Sequence, residues 1–240
     1  MWVFFLVPGK DYVIYVFYLD GEHFGFGVSS RLRQFIVCLH RQFVRITKDI
    51  NETLSFVTGR MSSRKFAVKD ILLATLEDVL DEADRISWAR FKHGFNRAAM
   101  NFRSLLYLAE CRRLEEYYGQ YFAATGLHAW RDPNLVVFLG DNPEGGFVSW
   151  SLVSGKIPVL RFGGTTGIMW VPFLDRPLTR IEWASSLGYP TRHDLATSLG
   201  VPLFDEYASN VGFRALGNGW NICVATCLIT TVLSCIQLVE

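Results

Sequence analysis

The end of the sequence constrains the fold more than any other segment. From Ile222 to Val239 it reads "ICVATCLITTVLSCIQLV", 18 residues without a charge, directly after a Gly-Asn-Gly-Trp turn at 217–220. Such a run admits three readings: a membrane anchor, a buried core helix, or the closing helix of a cofactor-binding domain. Spanning a bilayer takes ~20 consecutive apolar residues. This run is shorter, carries Thr226, Thr230, Thr231, Ser234 and Gln237, and has no basic residue after it. Both other readings place it inside the protein, because a helix that is apolar all round is a buried one.

The rest of the chain can supply the other side of that core. Of 240 residues, 50% are hydrophobic and 15% aromatic, too rich for a disordered chain and enough for one large or two small domains. Two segments dense in Val, Ile, Tyr and Phe, "DYVIYVFYLD" (11–20) and "RQFIVCLH" (33–40), read as strands joined by the Gly-rich "GEHFGFGVSS". Residues 66–91 then read as helical, with Ile71, Leu72, Leu76, Val79, Leu80, Ala83 and Ile86 recurring at three and four. A second helical stretch is predicted over about 95–118, with Arg97, Arg103, Arg112 and Arg113 among its apolar positions. From Gly126 the texture becomes Gly, Pro, Trp and Val, which suggests short strands and turns. Two helical pieces, 178–188 and 192–200, each end at a Gly.

Charge and cysteine usage narrow the setting. Between Arg31 and Arg113 there are 16 Lys/Arg against 9 Asp/Glu, and the remainder holds 8 against 14. This asymmetry suits either a polyanion-facing surface or ordinary solvated helix faces. The cysteines are Cys38, Cys111, Cys223, Cys227 and Cys235, an odd number without a Cys-x-x-Cys pair. That is the usage of a reducing compartment, with Cys as a small buried hydrophobe. The apolar start has no basic leader and is broken by Pro8-Gly9, so no signal peptide is predicted.

Common catalytic signatures are missing. There is no Gly-x-Ser-x-Gly, no His-Glu-x-x-His and no Walker-type Gly-Lys-Ser/Thr, and the five His are too scattered for a metal cluster. "RFGGTTG" (161–167) reads as a loop turn rather than a phosphate cradle, since no helix pattern follows it. In "SSRLRQF" (29–35), Arg31 and Arg33 share a strand face by alternation. Two guanidiniums so placed either hold an anion or carbonyl-rich ligand, or project into solvent at the strand's start.

Three segments, in order and spacing, resemble the DNA cytosine-5 methyltransferases. "VIYVFYLDGEHFGFGVSSRLRQFIVCLH" is similar to the family's strand, aspartate and Phe-Gly turn leading into Gln-x-Arg-x-Arg and another strand. "GKIPVLRFGGTTGIMWVPFLDRPLTRIEWASSLGYP" resembles the ninth motif. There Arg176, Leu178, Thr179 and Glu182 stand at Arg-x-Leu-Thr-x-x-Glu, and Leu187, Gly188, Tyr189 and Pro190 follow. "LGNGWNICVATCLI" resembles the tenth motif, Gly-Asn before the closing helix. The likeness covers about 11–45 and 135–238, is closest to divergent protist forms, and leaves the middle as the family's variable recognition region.

What the resemblance implies is an α/β fold: the C-terminal part of a Rossmann-like methyltransferase domain, interrupted by an inserted target-recognition-like subdomain. Strands of the partial catalytic domain would occupy 1–50, the variable region 51–160, and the return to the catalytic domain 161–240. Arg33 would hold a flipped cytosine with Arg31 bracing it, and Gly217 and Asn218 would line an S-adenosylmethionine pocket. Arg176, Thr179, Glu182 and Gly188 would be target-recognition or structural positions, with no metal. Implied partners are double-stranded DNA and a complementary N-terminal half, with no membrane, in the nucleus or another reducing intracellular compartment.

Departures from the family are specific. The Phe-x-Gly-x-Gly cofactor loop, the Glu-Asn-Val motif and the Pro-Cys nucleophile have no counterpart, since no Cys follows a Pro. Ser29 stands for the Gln of Gln-x-Arg-x-Arg, and Val159 for the usual Thr of the ninth motif. Two classes fit: a fragment or half of a methyltransferase, inactive alone, or a degenerate non-catalytic module that binds DNA or a partner methyltransferase.

Overall fold

The computed structural model describes residues 11–26, 28–29, 32–63, 66–146, 150–158, 167–204 and 221–239. Internal contacts divide the chain into two compact units, Met1–Phe66 with Trp220–Glu240, and Ala67–Gly219. The strands are β1 (Tyr12–Leu19), β2 (Arg33–His40), β3 (Val44–Ile46), β4 (Val137–Phe138), β5 (Met169–Val171), β6 (Arg176–Pro177) and β7 (Ile236–Leu238). The helices are α1 (Ile50–Met61), α2 (Leu76–Phe91), α3 (Leu108–Thr125), α4 (Ser151–Ser154), α5 (Arg180–Ser186), α6 (His193–Leu199) and α7 (Ile222–Ser234). The architecture mixes helices with small sheets, and every strand pair among the described residues is antiparallel.

In the first unit, β1 and β2 pair from Tyr12↔His40 to Leu19↔Arg33. Alternation puts Tyr15, Phe17 and Leu19 on one face with Phe35, Val37 and Leu39. That face packs with Ile50 and Leu54 of α1 and Val224, Leu228 and Val232 of α7. The Gly-rich connection is built rather than slack. Asp20 caps a 3-10 turn at Gly21–Phe24, and Gly25 reverses the chain at φ 78°. A Cβ on Gly21 would fall 2.4 Å from the Phe26 carbonyl oxygen, so only glycine fits there.

The two β segments are observed where their Val, Ile, Tyr and Phe density predicts them, but the apolar tail is not one helix. Helix α7 stops at Ser234, and β7 then pairs antiparallel with β3. The Thr47 amide and hydroxyl both donate to the Cys235 carbonyl, at 2.8 and 3.0 Å. Helix α1 lies in the stretch between strand and helix patterns that sequence reasoning left unassigned. Asp49 starts it, accepting from the amides of Asn51 (2.7 Å) and Glu52 (3.0 Å).

The second unit corrects both predicted long helices. Residues 66–91 are not continuous: a 3-10 turn at Val68–Ile71 and an extended stretch precede α2. Thr75 and Asp78 form a capping box, which fixes the helix start at Leu76. Residues 95–118 are mostly loop before α3, with Lys92 and Met100 at positive φ. Phe95, Leu105 and Leu106 are buried from irregular backbone, which imitates a helical period. Gly126, left-handed at φ 71°, ends α3. Strands β4, β5 and β6 form a three-stranded sheet, with Trp170 of β5 in the core beside Tyr117, Tyr121, Leu135 and Leu139.

Arg97, on the loop after α2, bridges Glu77 (2.8 Å), Asp81 (2.6 Å) and Asp84 (2.7 Å). Partial burial pushes the Asp84 carboxyl up, but the Phe95 amide and Arg97 outweigh it, and the net shift is downward. A carboxyl lowered on folding stabilises above its unfolded value of ~3.9 and loses that contribution as pH falls through the folded value. Thermal melts followed by circular dichroism should therefore drop between about pH 5 and pH 2, and Asp84→Asn should flatten that drop. An unchanged profile in the variant would remove Asp84 from the acid response.

Candidate functional site

Arg33 opens β2 opposite Leu19, on the same face as Phe35, Val37 and Leu39. It is exposed all the same, although Leu19 opposite it is buried. Its Nη1 donates to the Leu32 carbonyl at 2.9 Å, and the rest of the fork faces solvent. Ser29, where the family has Gln, is buried. Arg31, Gly217 and Asn218 lie outside the described residues.

Arg176, Thr179 and Glu182, which the resemblance sets at the ninth motif, meet in one closed knot. Thr179 caps α5, its hydroxyl accepting from the Glu182 amide at 3.2 Å, and the Glu182 carboxylate accepts back from the Thr179 amide at 2.9 Å. Arg176 grips the same carboxylate with two bonds, 2.8 and 2.5 Å, and donates to the Pro177 carbonyl at 2.9 Å. The Ala74 amide adds a longer bond of 3.4 Å. Glu182 is 0% exposed and Arg176 6%. The Arg, Thr and Glu of Arg-x-Leu-Thr-x-x-Glu thus share a physical task, a capping box locked by a buried ion pair.

The positions that follow are equally determined. Leu187 is buried with Ala184, Tyr189 and Phe204 pack against them, and Gly188 takes a left-handed φ of 79°. The same device recurs at α3. Glu110 receives the Tyr107 amide at 2.9 Å and two bonds from Arg90, which also donates to the Leu105 carbonyl at 3.1 Å. Sequence reasoning did not find this second knot. Its partners are 20 residues apart, and only the Glu at the third helical position hints at it.

These carboxylates are saturated by internal donors, so they hold structure rather than move protons. The basic residues of the middle region are partly spent as well. Besides Arg97, Arg103 is tied to Asp175 and Glu115, both at 3.1 Å, and Arg113 donates to the Leu139 carbonyl at 2.8 Å. Arg112 remains exposed on α3.

The Gly-Asn turn has a described neighbour that sequence reasoning missed. Asn221 caps α7, accepting from the Val224 amide at 3.3 Å, and is 3% exposed. Its Nδ2 has no hydrogen-bond partner. A buried amide with an idle donor at a helix start is the polar feature closest in sequence to Gly217 and Asn218.

Two thiols of α7, Cys223 and Cys227, are poorly suited to attack. Burial, and then neighbouring Cys227, push Cys223 up to about 12, and burial raises Cys227. A protonated thiol is a weak nucleophile. Among the described residues no group of three or more His, Cys, Asp or Glu is placed to hold a metal ion. Among them also, no helix is long and apolar enough to cross a membrane. No family model matches this sequence, and no curated protein or solved structure is significantly similar to it.

Proposed function

We propose that this chain is the C-terminal portion of a DNA (cytosine-5)-methyltransferase. In this reading residues 1–50 and 161–240 belong to a Rossmann-like catalytic domain, and 51–160 to a helical, target-recognition-like region inserted into it. Arg33, braced by Arg31, faces the flipped cytosine; Gly217 and Asn218 line the S-adenosylmethionine pocket. Cytosine must leave the duplex for carbon 5 to be reached, so a positively charged residue at the rim of a pocket has a defined task.

The observation that carries the reading is the Arg176–Thr179–Glu182 knot, because the residues that match the family's most specific motif are those that organise the local fold. Two further features support it. A strand, the Asp20 cap and a Phe-Gly turn do lead into the strand that Arg33 opens. A continuous stretch, Ala67–Gly219, forms one unit between the two parts of the other.

In this reading the chain is inactive alone, since nothing in it can add to the pyrimidine ring. Incubated with labelled S-adenosylmethionine and a cytosine-containing duplex, it should transfer no methyl group. A separately supplied segment with Pro-Cys and Glu-Asn-Val motifs should restore transfer, and Arg33→Ala should abolish the restored activity. Incorporation by the chain alone, or restored transfer that ignores Arg33→Ala, would refute the proposal. A second reading is a degenerate module that binds DNA or a partner methyltransferase without chemistry. Duplex binding without transfer under any complementation would select it.

A further inference from the structure

A column of aromatic rings stands on the surface of the second unit. Past its Gly126 stop, α3 gives way to a turn in which the Leu127 amide donates to the Thr125 hydroxyl at 3.1 Å. His128 is thereby laid on Phe122, with ring centroids 5.0 Å apart and planes 22° apart. A 3-10 turn at Ala129–Arg131, closed from the Arg131 amide to the His128 carbonyl at 2.9 Å, then swings Trp130 onto His128. That pair is tighter, at 4.4 Å and 11°. Ala129 is fully buried and serves as the pivot, while Phe122 is 48% exposed and Trp130 51%.

Three near-parallel rings in solvent are an unusual use of apolar area, because rings in a core are covered on all sides. Here Phe122 and Trp130 flank His128 and stay about half exposed, with Tyr118 meeting Trp130 edge-on at 6.2 Å. The surrounding charge is selective too. Tyr121 and the Asn134 amide hold Asp132, at 2.7 and 2.8 Å, and Arg103 holds Asp175 and Glu115, both at 3.1 Å. Arg131, exposed and adjacent to Trp130, makes no ion pair or side-chain hydrogen bond. Among the described residues, Arg131 is thus a cation without an ion-pair partner beside the rings, while Asp132 is engaged by neutral donors and Arg103 balances one of its two carboxylates.

We propose that Phe122, His128 and Trp130 form a stacking platform for unpaired bases of a nucleic-acid strand, with Arg131 contacting the adjoining phosphate. Base–aromatic stacking beside a cation is how single strands are held with little regard to sequence. The inference rests on ring geometry and charge, and does not need the methyltransferase reading.

The test uses the full chain and a fluorescein-labelled single-stranded 15-nucleotide DNA of mixed sequence, read by anisotropy at low salt. Trp130→Ala should weaken binding by about 5- to 150-fold, the range for losing one stacked base. Trp130→Phe should retain binding within about threefold, and Arg131→Ala should flatten the salt dependence. An abasic strand with the same phosphates should bind wild type and Trp130→Ala equally poorly. Trp130 is half exposed, and a circular dichroism melt of each variant checks that the fold is kept. Equal binding of the 15-mer by wild type and Trp130→Ala, or none by wild type, overturns the proposal. So does a wild-type chain that ignores all strands but sediments as a dimer that Trp130→Ala dissolves, since the rings then serve a protein face. Neither result bears on methyl transfer, which is read with a duplex and cofactor.

Discussion

Glu182→Ala is expected to cost about 3–5 kcal/mol of folding stability, the usual penalty for stranding one member of a buried ion pair. The reason is local and countable. Arg176 would keep its charge at 6% exposure with one remaining acceptor, the Pro177 carbonyl. The Thr179 and Ala74 amides would lose their acceptor in the same step. Urea unfolding read by tryptophan fluorescence checks this, because Trp170 and Trp183 lie in the same unit. A double variant, Arg176→Met with Glu182→Leu, separates charge from packing. It should recover most of the loss, short of roughly 1 kcal/mol for the Thr179 amide left without its acceptor. A single variant within ~0.5 kcal/mol of wild type would show that the knot is not a stabilising element. A double variant as unstable as the single one would show that apolar packing cannot replace it.

Leu54→Ala should have an effect of similar size, about 2–5 kcal/mol, through a cavity. Leu54 is fully buried in the cluster where α1, α7 and the core face of the β1–β2 pair converge. Amide hydrogen exchange is the suitable readout, since it reports region by region. Protection should fall in α1, α7, β1 and β2, while Leu135, Val137 and Trp170 of the other unit keep theirs. Equal loss in both units would mean that they unfold as one cooperative block.

How much of this was legible in the sequence follows from what each signal measures. Density in Val, Ile, Tyr and Phe found β1 and β2 to within a residue, because β-branched and aromatic side chains fit a pleated, half-buried surface. Capping chemistry found α5 and α6, whose ends are written by Thr179, Gly188 and Gly200. Apolar period alone failed over 95–118, where Phe95, Leu105 and Leu106 are buried from a loop that Lys92 and Met100 bend at positive φ. It failed again at the C-terminus, where hydrophobicity could not tell the helix from the strand after Cys235. In the candidate site, the spacing of Arg176, Thr179 and Glu182 was visible as a motif, but not the bonds that explain it. The aromatic column was invisible, because stacking depends on how Gly126 and Ala129 turn the chain.

The junction of Thr47 with Cys235 joins groups 188 residues apart. During synthesis at about 5–20 residues per second, some 10–40 s separate the two. In that interval β1, β2 and α1 have left the ribosome while α7 has not been made. The second unit, a continuous stretch, can complete its core first. The first unit must wait with an uncovered apolar face, so it is the one that ribosome-associated chaperones would hold during translation. Slowing synthesis would lengthen the exposure of this unit and leave the other untouched.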